Sequence, residues 1–365
     1  MAERLRRIIE SLPKAELHLH LRGAIPPGVL AELLNRHDCE AAVAGAPAEV
    51  RAAFARYDNL RPFLTGRRRW SADETTGLFR YRDFANFLYT FYFTSFLFHS
   101  AEDLRLLIRG VLDELVRQRI VYAEICISAI EYVTQGIPLS EVIACLEEGT
   151  QHQEVRVQWM VDLVRDSGPE SALRQVRELI AEGSPAVMGI TLGGSEGSFG
   201  AGEFREVYAV AREHGLRLSV HAGEALGPES VWEAVGMLRP ERIGHGIRAA
   251  EDPALVAHLA ERHIPLEVCP TSNIMTGIYP SLEEHPVKAL FDAGVPITIN
   301  SDDPTFLGTT LADEYARVSA LGFTEGEVRE LLRNGFRYAF LPEDEVARYL
   351  GELNRKWESV TGVGI

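Results

Sequence analysis

Short apolar runs rich in β-branched residues recur along the chain, and segments with helical spacing of apolar residues separate most of them. Buried parallel strands show such continuous apolar runs, whereas apolar residues three and four positions apart predict helices. The pattern predicts eight strands, over residues 15–21, 121–127, 155–163, 186–192, 217–221, 242–245, 264–269 and 296–301. Helices are predicted between the later strands, over residues 169–182, 203–213, 228–237 and 253–261. This α/β alternation predicts a (β/α)8 TIM barrel.

The interval between the first and second predicted strands breaks this alternation. It is about 100 residues long and contains helical patterns of its own, over 81–98 and 101–118. We interpret it as a helical insertion over approximately 26–118 within a single domain of residues 1–365. Barrel active sites lie at the C-terminal ends of the strands, so an insertion after the first strand can form a lid or a substrate wall. The aromatic run FANFLYTFYFTSFLF is predicted to pack on the barrel, with Phe84, Phe87 and Leu88 as candidate pocket residues.

Composition narrows the possible partners and the location. The chain has 53 acidic and 37 basic residues and a formal charge of -16, and so negative a protein repels the polyanionic backbone of nucleic acid. The four cysteines form no CxxC pair, which argues against a disulfide framework and favours a reducing cytoplasm. No apolar run approaches the roughly 20 residues that cross a bilayer, so neither export nor a membrane partner is expected.

Histidines and acids recur where predicted strands end. The ends of the first, fifth, sixth and eighth strands read His18-Leu19-His20, His221-Ala222-Gly223-Glu224, Gly244-His245-Gly246 and Ser301-Asp302-Asp303-Pro304. Alternation along a strand turns both imidazoles of the first pair to one side, which in a barrel is the interior.

Three imidazoles and one carboxylate, from His18, His20, His221 and Asp302, form a ligand set that suits Zn²⁺ and leaves a position for water. Zinc can lower the pKa of its bound water to about 7. The fourth strand reads AVMGITLGG without a lysine that could bridge a second metal, so one zinc ion per chain is expected.

Three further polar residues stand beside this ligand set. His245, Glu224 and Asp303 can supply a base or water-orienting group, a proton donor and a polar anchor for substrate. The sequence therefore predicts metal-assisted hydrolysis at the barrel mouth.

The motifs ELHLHLRGAI, LGGSE, SVHAGE, RIGHGI, LEVCPTSNIMTG and ITINSDDP, in this order across nearly the whole chain, resemble the adenosine deaminase family of the amidohydrolase superfamily. The resemblance implies a (β/α)8 barrel and hydrolytic removal of the 6-amino group of an adenine ring. It implies that His18, His20, His221 and Asp302 bind zinc. Glu224 would protonate purine N1, and His245 would position and deprotonate the attacking water. Asp303 would hydrogen-bond N7, and the backbone of Gly194 would contact N3.

One departure from the family pattern bears on the substrate. The family usually has an acid that contacts the ribose 5'-hydroxyl where this chain has Arg22, before Gly23. A guanidinium suits a carboxylate or phosphate, so Arg22 is a candidate to bind an anion beyond C5'. The alternative is that Arg22 pairs with a local acid or faces solvent. Further candidate anion partners are the insertion arginines Arg67, Arg68, Arg69, Arg80 and Arg82.

The expected substrate is therefore an adenine nucleoside. Family substrates with an anionic 5' side include 6-amino-6-deoxyfutalosine, an intermediate of menaquinone biosynthesis, and derivatives of adenosine monophosphate. We place 6-amino-6-deoxyfutalosine first and adenosine or 2'-deoxyadenosine second. A non-purine ester or lactone hydrolase and a non-catalytic binding protein are the alternatives of other classes. The sequence leaves the oligomeric state open.

Overall fold

The computed structural model describes residues 2–64 and 69–362, and its eight strands form one parallel sheet in chain order. The strands are β1 Lys14–His20, β2 Ile120–Ile127, β3 Arg156–Val164, β4 Val187–Gly193, β5 Arg217–Ala222, β6 Arg242–His245, β7 Leu266–Val268 and β8 Ile297–Ile299. The backbone N–H of His20 donates to the carbonyl of Asp302 at 2.9 Å, and that of Asp302 donates to His18 at 3.0 Å. These bonds join the chain after β8 to β1, so the predicted (β/α)8 barrel is confirmed.

Helices surround this sheet. Those between β1 and β2 are α2 Pro27–Arg36, α3 Cys39–Val43, α4 Ala48–Arg56, α5 Ala72–Thr75, α6 Phe84–Ser95 and α7 Ala101–Arg117, preceded by α1 Ala2–Ser11. Those between later strands are α8 Ala129–Thr134, α9 Leu139–Thr150, α10 Gly168–Glu182, α11 Arg205–Glu213, α12 Pro228–Glu233, α13 Pro253–Arg262, α14 Pro270–Met275 and α15 Val287–Asp292. After β8 follow α16 Pro304–Leu307, α17 Leu311–Ser319, α18 Glu325–Arg337 and α19 Glu343–Thr361. The division into one domain with an insertion over 26–118 stays a prediction.

Alternation along β1 separates its polar and apolar side chains. Glu16 and His18 point to one side of the strand, while Leu17 and Leu19 on the other side belong to the hydrophobic core. Glu16 is fully buried and accepts hydrogen bonds from the backbone N–H and the hydroxyl of Ser301, at 3.3 and 2.7 Å. This contact ties β1 to the segment after β8, where the candidate ligand Asp302 lies.

Several predicted boundaries shift for local reasons. Strands β7 and β8 are shorter than predicted, and each is preceded by a proline, Pro265 or Pro296, which has no N–H to donate to a neighbouring strand. The helix predicted over 228–237 is α12 followed by a π-helical turn over Ala234–Leu238, which ends at Arg239 with a φ of 51°.

The aromatic run divides between core and surface. Helix α6 begins at Phe84 because the Asp83 carboxylate accepts the N–H of Asn86 and caps the first turn. Phe93 is fully buried, as the packing prediction requires. Phe84 and Leu88 are 46% and 50% exposed, so the packing prediction is wrong for these two side chains.

Two findings bear on the expected cellular location of the protein. None of the described helices combines the length and the apolar character needed to cross a membrane. Cys39, Cys126, Cys145 and Cys269 are buried thiols outside any disulfide. The cytoplasmic location stays a prediction.

Candidate active site

The four predicted metal ligands meet at the C-terminal mouth of the barrel. The end of β1 supplies His18 and His20, β5 supplies His221, and the residue Asp302 follows β8. The ligand nitrogens of the three histidines lie within 4.8 Å of one another. Asp302 Oδ1 lies 3.4 Å from His18 Nε2 and 3.3 Å from His20 Nε2. The structure therefore brings all four side chains to one point.

Two features show that these residues fit a metal ion. His18 Nε2 is buried and makes no hydrogen bond, although Asp302 Oδ1 lies 3.4 Å away, and a ligand bound at this nitrogen would satisfy it. Asp302 adopts a left-handed φ of 63°, an uncommon conformation for a residue other than glycine. Three imidazoles with one carboxylate form a set that suits zinc.

A fifth side chain, which the sequence analysis did not single out, reaches the same point. A ligand set of His18, Cys269 and Asp302 also has its atoms within 4.8 Å of one another. Burial, followed by the charges of Asp302 and Glu16, raises the pKa of the Cys269 thiol well above its usual range, and its Sγ donates to the carbonyl of Glu267 at 3.7 Å.

The carboxylate of Glu267 orients His18. Glu267 Oε2 lies 2.9 Å from His18 Nδ1, and Glu267 Oε1 accepts a hydrogen bond of 2.6 Å from Arg242 Nε. Burial opposes ionisation, but the Arg242 guanidinium lowers the pKa of Glu267 to about 2. An ionised carboxylate can only accept, so His18 Nδ1 is the donor to Glu267, and this contact turns Nε2 to the other candidate ligands. Glu267 lies in the motif LEVCP, the signal that could have identified it.

Arg242 also contacts residues other than Glu267. Its guanidinium donates to Glu124 and to the carbonyl of Tyr338, and it lies 3.6 Å from the ring centre of Phe340. Glu124 also accepts the hydroxyl of Tyr122 at 2.8 Å. A buried network therefore runs from the metal ligands to the chain between α18 and α19.

Glu224 and His245 face each other beside the ligands, with 3.6 Å between Oε2 and Nε2. Burial first, and then the negative charges of Asp302 and Glu196, raise the pKa of Glu224 to about 8. Burial lowers the pKa of His245 to about 3. A protonated carboxyl and a neutral imidazole are therefore available at neutral pH.

Glu196, a residue that sequence reasoning missed, anchors the loop that carries Glu224. Its carboxylate accepts the backbone N–H groups of Gly223, Glu224, Ala225 and Leu226 at 2.5 to 3.1 Å. It also accepts the hydroxyl of Ser230 at 2.7 Å. The motif LGGSE, which ends at this residue, was the available signal.

Asp303 and Gly194 occupy positions compatible with substrate contact. Burial and the neighbouring Asp302 raise the pKa of Asp303 well above its usual range, and its Oδ1 is buried without a partner. A Cβ at Gly23 would lie 1.8 Å from that oxygen, so the turn after β1 accepts only glycine there. Gly194 follows β4 with a φ of 85°, a conformation that favours glycine.

Arg22 lies inside the protein and already has an ionic partner. It is 6% exposed and contacts both Glu131 carboxylate oxygens, at 2.6 Å from Nη1 and 3.2 Å from Nη2. Its guanidinium stacks 4.1 Å from the ring centre of Phe91 on α6, while its Nε is buried without a partner. The predicted alternative, pairing with a local acid, is thus what the structure contains.

The other candidate anion partners lie at the surface or outside the described residues. Arg69, Arg80 and Arg82 are exposed, and Arg82 pairs with Asp83 at 3.1 Å. Arg67 and Arg68 lie outside the described residues.

A small cavity opens between α6 and the chain after β7 and β8. Its volume is about 170 Å³, and its wall includes Tyr81, Phe84, Phe87, Met275 and Leu307. Phe84 and Phe87 line this cavity and Leu88 does not, and their place in a substrate pocket stays a prediction.

The closed barrel and the cluster of imidazoles and carboxylates at its mouth define a hydrolase built to hold a metal ion. The sequence model of the family described as adenosine deaminase matches residues 70–356. The aminodeoxyfutalosine deaminase of Streptomyces coelicolor is 37% identical over 360 residues, which cover 96% of this chain and 86% of that protein. The adenine deaminase of Agrobacterium fabrum is 34% identical over 347 residues, covering 94% and 98%. The crystal structure of an amidohydrolase from Burkholderia ambifaria with bound zinc superposes with a TM-score of 0.78 at 25% identity, covering 98% and 93%.

The chain belongs to the adenosine deaminase family of the amidohydrolase superfamily. It is a hydrolase of carbon–nitrogen bonds that deaminates adenine-type substrates.

Proposed function

We propose that this protein is a zinc-dependent aminohydrolase that removes the 6-amino group of an adenine nucleoside as ammonia. The observation that carries the proposal is the buried, unpartnered Nε2 of His18 among His20, His221 and Asp302. These four residues would hold one zinc ion, as the zinc-containing relative supports. Bound there, zinc would supply the acidity that makes a water molecule nucleophilic at neutral pH.

The neighbouring side chains complete the reaction. Glu224 is protonated at neutral pH and gives its proton to N1 of the purine, which keeps negative charge from building up on the ring as C6 is attacked. His245 positions the water. The backbone of Gly194 contacts N3, and Asp303, whose Oδ1 is unpaired, contacts N7.

We propose 6-amino-6-deoxyfutalosine as the preferred substrate. Relatives named aminodeoxyfutalosine deaminase, at 37% and 38% identity, support this preference. Arg22 is the candidate partner for the carboxylate of this substrate, which would share or displace Glu131. Adenosine remains the alternative nucleoside. Free adenine is a further candidate because relatives at 34% identity are named adenine deaminase.

Parallel kinetics test the substrate. Initial rates are measured by the ultraviolet change from adenine to hypoxanthine, for zinc-loaded protein with 6-amino-6-deoxyfutalosine, adenosine, 5'-deoxyadenosine, AMP and adenine. We expect kcat/KM for 6-amino-6-deoxyfutalosine to exceed that for adenosine about 100-fold, equivalent to about 2.7 kcal/mol. A higher kcat/KM for adenosine or adenine contradicts the substrate, and no turnover of any purine contradicts the proposed function.

Two variants isolate the role of Arg22. Arg22→Gln should abolish the preference for the anionic substrate and leave the rate with adenosine within about threefold. Glu131→Gln frees the guanidinium and should increase the preference. If both variants keep the preference of the wild type, Arg22 does not contact the substrate anion.

A further inference from the structure

A series of hydrogen bonds connects the side chain of His245 to a backbone amide. Its Nδ1 lies 3.1 Å from Asn273 Nδ2, and Asn273 Oδ1 lies 3.1 Å from His285 Nε2. His285 Nδ1 in turn accepts the backbone N–H of Val287 at 3.2 Å. All three side chains are buried.

The backbone amide at one end of this series of hydrogen bonds determines which ring nitrogens carry protons at the other end. An amide N–H can only donate, so His285 Nδ1 must be an unprotonated acceptor. Burial lowers the pKa of His285 to about 4, and the ring is therefore neutral with its single proton on Nε2. That proton is donated to Asn273.

The orientation of the Asn273 amide follows. Because His285 donates to it, the atom facing His285 is the oxygen, and the NH₂ group faces His245. The NH₂ group can only donate, so His245 Nδ1 is an acceptor and carries no proton. A neutral imidazole carries one proton, and in His245 this proton is on Nε2.

We infer that Asn273 and His285 are positioning residues that hold His245 as the Nε2–H tautomer, so that His245 donates a hydrogen bond into the active site. The nearest side-chain oxygens to this nitrogen are Glu224 Oε2 at 3.6 Å and Asp302 Oδ2 at 3.9 Å, and the ionised Asp302 can only accept. Of the two tasks that the family resemblance implies for His245, this series of hydrogen bonds is compatible with positioning the water. Deprotonation by Nε2 is incompatible with it, because that nitrogen already carries a proton.

This inference deepens the proposed function and rests on it, because the tautomer matters only if His245 acts on the water. The two positioning residues come from the chain after β7, whereas His245 ends β6. A wrong histidine tautomer can leave an active site assembled and still remove most of its turnover. The expected signature is therefore a loss in kcat with little change in KM.

Nuclear magnetic resonance reads the tautomer independently of turnover. Zinc-loaded protein with ¹⁵N-labelled histidine is examined by two-bond ¹H–¹⁵N correlation, and the spectrum of His245→Gln assigns the signals of His245. The wild type should show a proton on Nε2 and an unprotonated Nδ1. A wild-type spectrum with the proton on Nδ1 overturns the inference, whatever the kinetics show.

Asn273→Asp replaces the donor that faces His245 by an oxygen of nearly the same shape. This variant should move the proton to Nδ1 and lower kcat by about 100-fold, with KM for adenosine or 6-amino-6-deoxyfutalosine within about threefold. A switched tautomer with wild-type kcat overturns the inference, and so does an unswitched tautomer with low kcat. Exposed His214→Gln is the control and should change neither.

A second pair of variants keeps the test decisive if Asn273→Asp does not fold. His285→Gln retains a donor toward Asn273, whereas His285→Leu removes it. The glutamine variant should keep the Nε2–H signal, and the leucine variant should show both tautomers and a kcat at least about tenfold lower. Equal kcat in the two variants overturns the inference. Failure of the proposed function is recognised separately, as a wild type that deaminates no purine.

Discussion

At the scale of single residues, environment decides what each ionisable group can do. Glu224 and Glu267 are both buried carboxyls beside the candidate ligands, yet their pKa values move in opposite directions, to about 8 and about 2. Asp302 and Glu196 each raise the pKa of Glu224 more than His18 lowers it, whereas Glu267 contacts Arg242 and His18. Glu224 is therefore suited to donate a proton, whereas Glu267 is suited to hold a proton on its histidine partner.

The raised pKa of Glu224 predicts an alkaline limb in the rate. The reaction needs the protonated acid, so kcat/KM should fall as pH rises through the pKa of Glu224, about 8. A bound cation would lower this pKa and move the limb to lower pH, never to higher pH. Glu224→Gln should lower kcat by about 100-fold or more and retain zinc, measured by rate assay and metal analysis.

The control for this prediction is Glu261→Gln, a change at an exposed residue of α13. It should leave both the rate and the pH profile unchanged. A rate that stays constant across this pH range, or full activity in Glu224→Gln, would contradict the role of Glu224.

The contact between Glu267 and His18 predicts that a change at Glu267 alters the affinity for zinc. Glu267→Gln removes the charge that holds the proton on His18 Nδ1, so the dissociation constant for zinc should rise about 10- to 100-fold in a competition titration. Glu124→Gln is the matched control, because it removes a charge from the same Arg242 without contacting His18. Equal zinc affinity in the two variants would show that the network is only structural.

At the scale of elements, the site depends on turns that bring loops into close contact. The turn after β1 passes so near the segment after β8 that Gly23 has no room for a side chain beside Asp303. The loop after β5 is fixed differently, by hydrogen bonds from its backbone N–H groups to the Glu196 carboxylate. Strand ends alone therefore do not build the site.

Gly23→Ala tests the importance of this turn. The added methyl group would overlap Asp303 Oδ1, so the carboxyl must move and kcat/KM should fall at least about tenfold while zinc is retained. Gly28→Ala on α2 meets no atom within 4 Å and should behave as wild type. Steady-state rates and metal content provide the measurement, and wild-type activity in Gly23→Ala would refute the proposed place of Asp303.

At the scale of the whole molecule, the candidate ligands join distant parts of the chain. They come from β1, from β5 and from the segment after β8, so a bound ion would cross-link the first, middle and last parts of the barrel. A ligand that binds only the folded state stabilises it, by about 4 kcal/mol at 1,000 times its dissociation constant.

Removal of the metal should therefore lower the melting temperature. Chelation of the zinc-loaded protein should reduce Tm in calorimetry, and renewed addition of zinc should restore it. His221→Ala should have the low Tm with or without zinc, whereas Cys269→Ser should retain the difference, because Cys269 is not one of the four proposed zinc ligands. A Tm that is independent of zinc in the wild type would contradict the site.

The sequence by itself determined the barrel and the residues of its candidate metal site. Alternating apolar runs and helical spacings placed all eight strands, because burial on both faces makes parallel strands continuously apolar. Strand alternation put His18 and His20 on one side, and motifs at strand ends named His221, Glu224, His245 and Asp302. These are local properties of the chain, so they can be read without coordinates.

Only the tertiary structure decided how those residues are held and charged. Glu131 is 109 residues from Arg22 in sequence and Glu267 is 249 from His18, so no local pattern could show that they pair. The tautomer of His245 likewise depends on an amide 42 residues further along, at Val287. Hydrogen bonding and burial act through space, and they set proton positions and pKa values only after the barrel has closed.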